Sequence, residues 1–206
     1  MLWGTAGICA LVYGLVLVQR PPSAARTVVK TAAIGALAAL AYLQGGGPLL
    51  AIALALCAIG DAFLAGDPKR WLPFGLAAFL LGHLVYAVLF WRERGAVDTI
   101  FWATAPLVVL AAAVMLWRLW PSLGSMRAAV AVYVAAIVAM VTLSLLLPRV
   151  HWPAAAGALA FMTSDAILSF DLFKSAKLAG SARLTGWAVW FLYFGGQALI
   201  AYGMLR

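Results

Sequence analysis

Charge is what this sequence has least of. Only 10% of its 206 residues are Asp, Glu, Lys or Arg, whereas a soluble domain carries about 25%. A chain so poor in charge cannot cover a water-facing surface of ordinary size. Acidic residues are the scarcest, six against 14 Lys plus Arg, leaving a net charge of +8. In a soluble protein that excess would point to nucleic acid. Here the basic residues fall in short gaps between apolar runs, where the positive-inside rule and anionic headgroups account for them. No nucleic-acid partner is required. The two cysteines, Cys9 and Cys57, both lie within apolar runs, which argues against a disulfide framework or a cysteine metal site. The chain also lacks G-x-S-x-G, H-E-x-x-H, a Walker loop and G-x-G-x-x-G, so a serine lipase, a zincin or a nucleotide enzyme has no support.

What the chain has in abundance is hydrocarbon: 67% of its residues are hydrophobic and its mean hydropathy is +1.06. About 20 apolar residues cross a bilayer. Runs approaching that length occur at 2–19, 26–44, 48–65, 71–91, 99–117, 127–147, 152–173 and 184–205. They predict an all-α, polytopic bundle of eight transmembrane helices, and loops too short for a soluble domain make it one domain, 1–206. The first run could be mistaken for a secretory signal. No basic residue precedes it, and Arg20 and Arg26 follow it, so it is read as a retained span.

The odd-numbered connections and adjoining helix ends carry Arg20, Arg26, Lys30, Lys69, Arg70, Arg118, Arg127, Lys174, Lys177 and Arg183. The even-numbered ones and the C-terminus carry only Arg92, Arg94, Arg149 and Arg206. This bias places the odd connections in the cytoplasm and both termini outside. Trp3, Trp71, Trp91, Trp102, Trp117 and Trp152 fall near span ends, as an aromatic belt requires. Short termini without a sorting signal fit a bacterial plasma membrane.

An internal pattern stands out. Residues 61–67 and 165–171 both read Asp-Ala-x-Leu-x-x-Asp. The same offset brings Lys30 within one position of Tyr133. After an insertion, Phe79, Gly82 and His83 align with Tyr193, Gly196 and Gln197. This suggests two parallel four-helix halves, 1–98 and 99–206, with Asp61 and Asp165 at symmetric positions.

An ionisable side chain well inside a span costs about 2.5 to 3.5 kcal/mol. Asp61, Asp165, Lys30 and His83 therefore demand explanation. Asp61 stands six residues before Asp67, about 9 Å inside the boundary at helical rise. Asp165, Lys30 and Tyr133 fall at similar depth, and His83, Tyr86, Tyr193 and Gln197 are expected deeper. Bland explanations exist for several of them. Lys30 is close enough to its helix end to snorkel. Gln197 and the tyrosines can serve as interhelical hydrogen-bonding groups, and His83 as a satisfied core residue. Two carboxylates at one depth are harder to explain without a shared polar cavity.

The Gly60-Asp61 pair, the run from Phe79 through Gly82 and His83 to Tyr86, and the segment from Gly157 to Ser164 and Asp165 resemble the YhhN-like lysoplasmalogenase family. Tyr133 with Met140, and Tyr193 through Gln197 to Ile200, fit as well. Lys30 stands where the family has a lysine, although Thr31 replaces the proline expected directly after it.

The resemblance implies a membrane ether hydrolase that cleaves the vinyl ether bond of lysoplasmalogens to a fatty aldehyde and a glycerophospho-headgroup alcohol. The substrate would be a lysophospholipid drawn from the surrounding membrane lipids. An enol ether is hydrolysed by protonating its β-carbon, adding water to the resulting oxocarbenium ion and collapsing the hemiacetal. One carboxylic acid and one carboxylate suffice, a division that burial and mutual repulsion favour. Asp61 and Asp165 would fill these roles. Lys30, with Arg26 or Lys69, would hold the phosphate, while His83, Tyr86, Tyr133, Ser164, Tyr193 and Gln197 would bind or support substrate and water. No metal and no organic cofactor is called for. A proton-coupled transporter is the main alternative, since paired intramembrane aspartates and parallel repeats also occur there. A non-catalytic lipid-binding bundle is another.

Overall fold

Several helices in this chain start or stop where their local chemistry dictates. The computed structural model describes residues 1–206, the side chains of Pro68 and Lys69 excepted, and contains eight helices and no strand among the described residues. α1 (Leu2–Val12) runs on through a π-helical turn, Tyr13–Leu17, and stops ahead of Pro21 and Pro22. α2 (Ala24–Leu43) starts two residues before the apolar run because the Ser23 hydroxyl accepts a hydrogen bond from the Arg26 amide at 3.3 Å. That is ordinary N-capping. α3 (Gly47–Ala65) follows a glycine turn and has Pro48 in its first turn, where a missing amide costs nothing. α4 spans Pro68–Arg92. The side chains of Asp98 and Ser181 cap α5 (Thr99–Leu119) and α8 (Ala182–Met204) in the same way as Ser23. α6 covers Arg127–Ser144, and α7 covers Trp152–Lys174.

α2 to α8 are each long and apolar enough to cross a bilayer. The first element, Leu2–Leu17, falls short of the about 20 residues that a span needs. Hydropathy alone set its end at Gln19, but the π turn closes two residues earlier. Its fixing to the bundle is explicit: the indole N–H groups of Trp187 and Trp190 on α8 donate to the carbonyls of Gly14 and Ala10 at 2.9 and 2.8 Å.

Close helix approach fixes the rest. A Cβ on Gly157 would stand 2.4 Å from the Gly196 carbonyl oxygen, so α7 and α8 touch backbone to backbone. Small residues at helix seams serve this purpose in membranes, where packing rather than hydrophobicity drives association. On the other side, Gly60 on α3 leaves room for the Phe79 ring of α4, which a Cβ would meet at 2.6 Å. The main core draws on every helix, α5 contributing only Val108. α5 otherwise rests on a separate small cluster formed by Ala112 and Leu119 with Leu123, Val130 and Val134.

Candidate active site

A cavity of about 350 Å³ opens in the half of the bundle nearer the basic connections, and Asp61 and Asp165 both line it. The seam between α3 and α4 positions Asp61: Gly60 lets Phe79 pack flush, and the carboxylate is 1% exposed. Lys30, one helix over on α2, puts its ammonium 3.0 Å from Asp61 Oδ1, with side-chain exposures of 13% and 1% for the pair. From α8 the Tyr193 hydroxyl donates to Asp61 Oδ2 at 2.7 Å. Both carboxylate oxygens are thus engaged, one by a full charge. The ammonium also lies 5.8 and 5.9 Å from the ring centres of Tyr13 and Trp190, within cation–π range.

Asp165 has a different environment. It is half-buried on α7, and the Tyr133 hydroxyl of α6 donates to its Oδ2. Among the described residues it forms no ion pair. Ser164, immediately before it, is buried, and its hydroxyl donates to the Val189 carbonyl at 2.8 Å. That bond pins α7 to α8 beside the carboxyl.

The remaining sequence-predicted residues lie behind this layer. Tyr86 and Gln197 pair with each other, hydroxyl to Oε1 at 2.6 Å, and His83 is fully buried with its ring edge-on to Tyr133 and Phe161. His83 makes no well-formed hydrogen bond, only a weaker interaction with the Phe79 backbone one turn back. These three do not line the cavity; they back Tyr133 and Tyr193, which do. The hydroxyl of Tyr193 nevertheless reaches Asp61.

Sequence reasoning missed Tyr13 and Trp190. A lone tyrosine in an apolar run carries no signal of its own, yet the π turn it begins brings it into the cavity. Such turns are common at functional sites. At the mouth, Arg26 bonds the Tyr13 hydroxyl at 3.4 Å and the Arg20 carbonyl at 2.8 Å, and Lys177 pairs with Asp171. The side chain of Lys69 lies outside the described residues. Part of the cavity wall is apolar, formed by Ile137, Met115, Met126 and Met162.

The fold and this cavity define a polytopic, all-helical membrane protein with a one-sided polar site. The chain belongs to the YhhN family, whose model matches residues 25–204, which spans α2 to α8. No curated protein and no solved structure matches the chain.

Proposed function

We propose that the protein hydrolyses the vinyl ether bond of lysoplasmalogens, releasing a fatty aldehyde and a glycerophospho-headgroup alcohol. The observation that carries this reading is the pair of carboxyls in one cavity with unlike partners. Lys30 and Tyr193 hold Asp61 as the carboxylate. Asp165 has only a phenol beside it and no paired cation among the described residues, so it is the carboxyl that carries the proton. The repeat left the two interchangeable; the ammonium separates them.

The reaction then runs through this chain's own groups. Asp165 delivers its proton to the β-carbon of the vinyl ether, and the electron pair of the double bond forms the new C–H bond. The ether oxygen shares the positive charge, and the Asp61 carboxylate stabilises that oxocarbenium ion, as preorganised charge does at its best. Water adds to the former alkene carbon bearing oxygen and returns a proton to the carboxyl pair. The hemiacetal collapses to aldehyde and alcohol. One water is consumed and Asp165 ends protonated. Two carboxyls with divided roles are the arrangement that glycosidases use on a related cation. At the mouth Arg26 would meet the phosphate, while Lys30 remains committed to Asp61. The methionine-lined wall would hold the alkenyl chain near the reacting atoms.

Transporter sites lie near the bilayer midplane, whereas this cavity sits toward the basic connections with Arg26, Asp171 and Lys177 in its lining, which favours the hydrolase reading. The test is aldehyde release from an alkenyl lysophospholipid by purified protein in detergent, with a saturated alkyl ether as control. Release that requires Asp61 and Asp165 and ignores the alkyl ether is expected. No release from folded protein across a pH series would sink the proposal and send the question to flux assays in liposomes.

A further inference from the structure

A shallow groove, nearly flat, on the outer face between α5 and α7 meets the cavity at a shared residue, Met115. Arg118 stands at its basic end, Leu107, Leu110 and Val114 run along its floor, and Phe170 of α7 forms the opposite wall. From Arg118 to Leu107 the groove follows α5 for about 16 Å at helical rise. That is close to half of the roughly 30 Å hydrocarbon thickness of a bilayer. One cation at the headgroup level above an apolar floor one leaflet deep has the outline of a phospholipid with a single chain. Leu107 and Leu110 are exposed, facing the region where lipid chains lie.

α5 is also the spanning helix least enclosed by the bundle. Only 17% of its apolar stretch is buried, the smallest share of any spanning helix. It rests on its own small cluster, and the partly buried side chains around that cluster include Met115, Met162 and Phe170. Methionines of this kind adapt to a changing neighbour. The other way into the cavity is ringed by Arg26, Gln19, Asp171 and Lys177, so an alkyl chain passing there would cross water and charge.

We infer that the α5–α7 groove is a docking site for a single-chain phospholipid, with Arg118 on the phosphate, and that the lipid passes sideways into the cavity between Met115 and Phe170. The substrate class rests on the vinyl ether reading. The groove as a lipid site does not depend on turnover. Arg118 and Leu110 therefore act on binding and chain selection, and the reaction itself stays with the carboxyls.

Two experiments test this. In the first, a saturated alkyl lysophosphoethanolamine carrying a diazirine at the chain end is photolysed with the protein in nanodiscs, and labelled peptides are mapped. Labelling concentrated on residues 107–118, reduced at least fivefold by Arg118→Gln, is expected; labelling spread evenly over the lipid-facing helices overturns the inference. In the second, Leu110→Trp and Met115→Trp are compared with wild type on a long-chain alkenyl lysolipid and a short, water-soluble vinyl ether. The ratio of the two kcat/KM values should shift at least tenfold against the long chain. The control Ile52→Trp, on the exposed face of α3, should leave it in place. An unshifted ratio in both groove variants refutes sideways passage. If wild type cleaves neither substrate, the vinyl ether reading has failed, and the labelling pattern alone decides whether the groove holds a lipid.

Discussion

Removing the Lys30 ammonium should be costly in a way that a second substitution reverses. At 3.0 Å and an effective dielectric of 20, the gross attraction between the two charges is about 5.5 kcal/mol. Most of it offsets the desolvation of two buried groups. What remains after losing one partner is a stranded charge, which typically costs about 3 to 5 kcal/mol. Lys30→Met and Asp61→Asn should each lower stability by that amount. The double variant replaces the pair with neutral groups and should return to within about 1 to 2 kcal/mol of wild type, a coupling of about 4 kcal/mol or more in a double-mutant cycle. Denaturation in detergent, followed by tryptophan fluorescence, reads this directly, since Trp190 lies 5.9 Å from the ammonium. Aldehyde release should behave oppositely and stay lost in all three variants, because the double variant restores stability without the carboxylate. Strictly additive losses would show that the two groups are not coupled. Wild-type release from the double variant would remove Asp61 from the reaction.

Asp165→Asn should fold normally and lose at least about 100-fold in release, within the range for a general acid; retained activity would move the acid elsewhere. Tyr133→Phe takes away the hydrogen bond to Asp165, which strengthens as that carboxyl gives up its proton in the transition state, and kcat should fall roughly 10- to 100-fold, the equivalent of the about 1.5 to 3 kcal/mol of a bond to a charged group. An unchanged kcat would limit Tyr133 to packing. Gly157→Ala places a methyl 2.4 Å from the Gly196 carbonyl oxygen, and overpacking of this kind should cost about 1 to 3 kcal/mol in the same denaturation assay. Trp190→Phe keeps an aromatic ring but loses the bond to the Ala10 carbonyl; protease cleavage within α1 should rise with little change elsewhere, and equal protection would show that α1 is held by packing alone.

Much of the architecture could be read from the chain because membrane solvent leaves few choices. Seven spans match runs bounded by charge, proline and glycine, since a helix must satisfy its own backbone in lipid. The exception, the first element, shows what hydropathy does not encode: its π turn and the α-helical turn before it accept hydrogen bonds from indoles 173 and 180 residues away. Asp61 and Asp165 were legible for an energetic reason, as charges that lipid would penalise. Their partners were less so. Lys30 could have snorkelled toward the interface, yet it turns inward because a carboxylate and two aromatic rings await it. His83 drew attention as an ionisable residue, but it stands in the layer behind the cavity wall, edge-on to two rings. Depth along a helix can be counted from sequence; the direction a side chain faces depends on how neighbouring helices slide and rotate.

The same limit explains why the carboxyls looked equivalent in sequence and are unlike in space. Each aspartate receives a side chain from the helix preceding its own, Lys30 from α2 for Asp61 and Tyr133 from α6 for Asp165. The alignment placed these partners within one position of each other, so the local geometry is shared and the chemistry is not. An ammonium fixes a charge, whereas a phenol only donates a hydrogen bond and leaves its acceptor free to hold a proton on the other oxygen. Packing follows the same division: α2 lies tightly along α3, while α6 touches α7 sparsely, and the cavity takes up the space between them with Tyr133, Ile137, Met162 and Asp165 in its walls. On the proposed reading, the tight pairing would hold a carboxylate in place, and the loose one would leave room beside an acid for a lipid chain to enter.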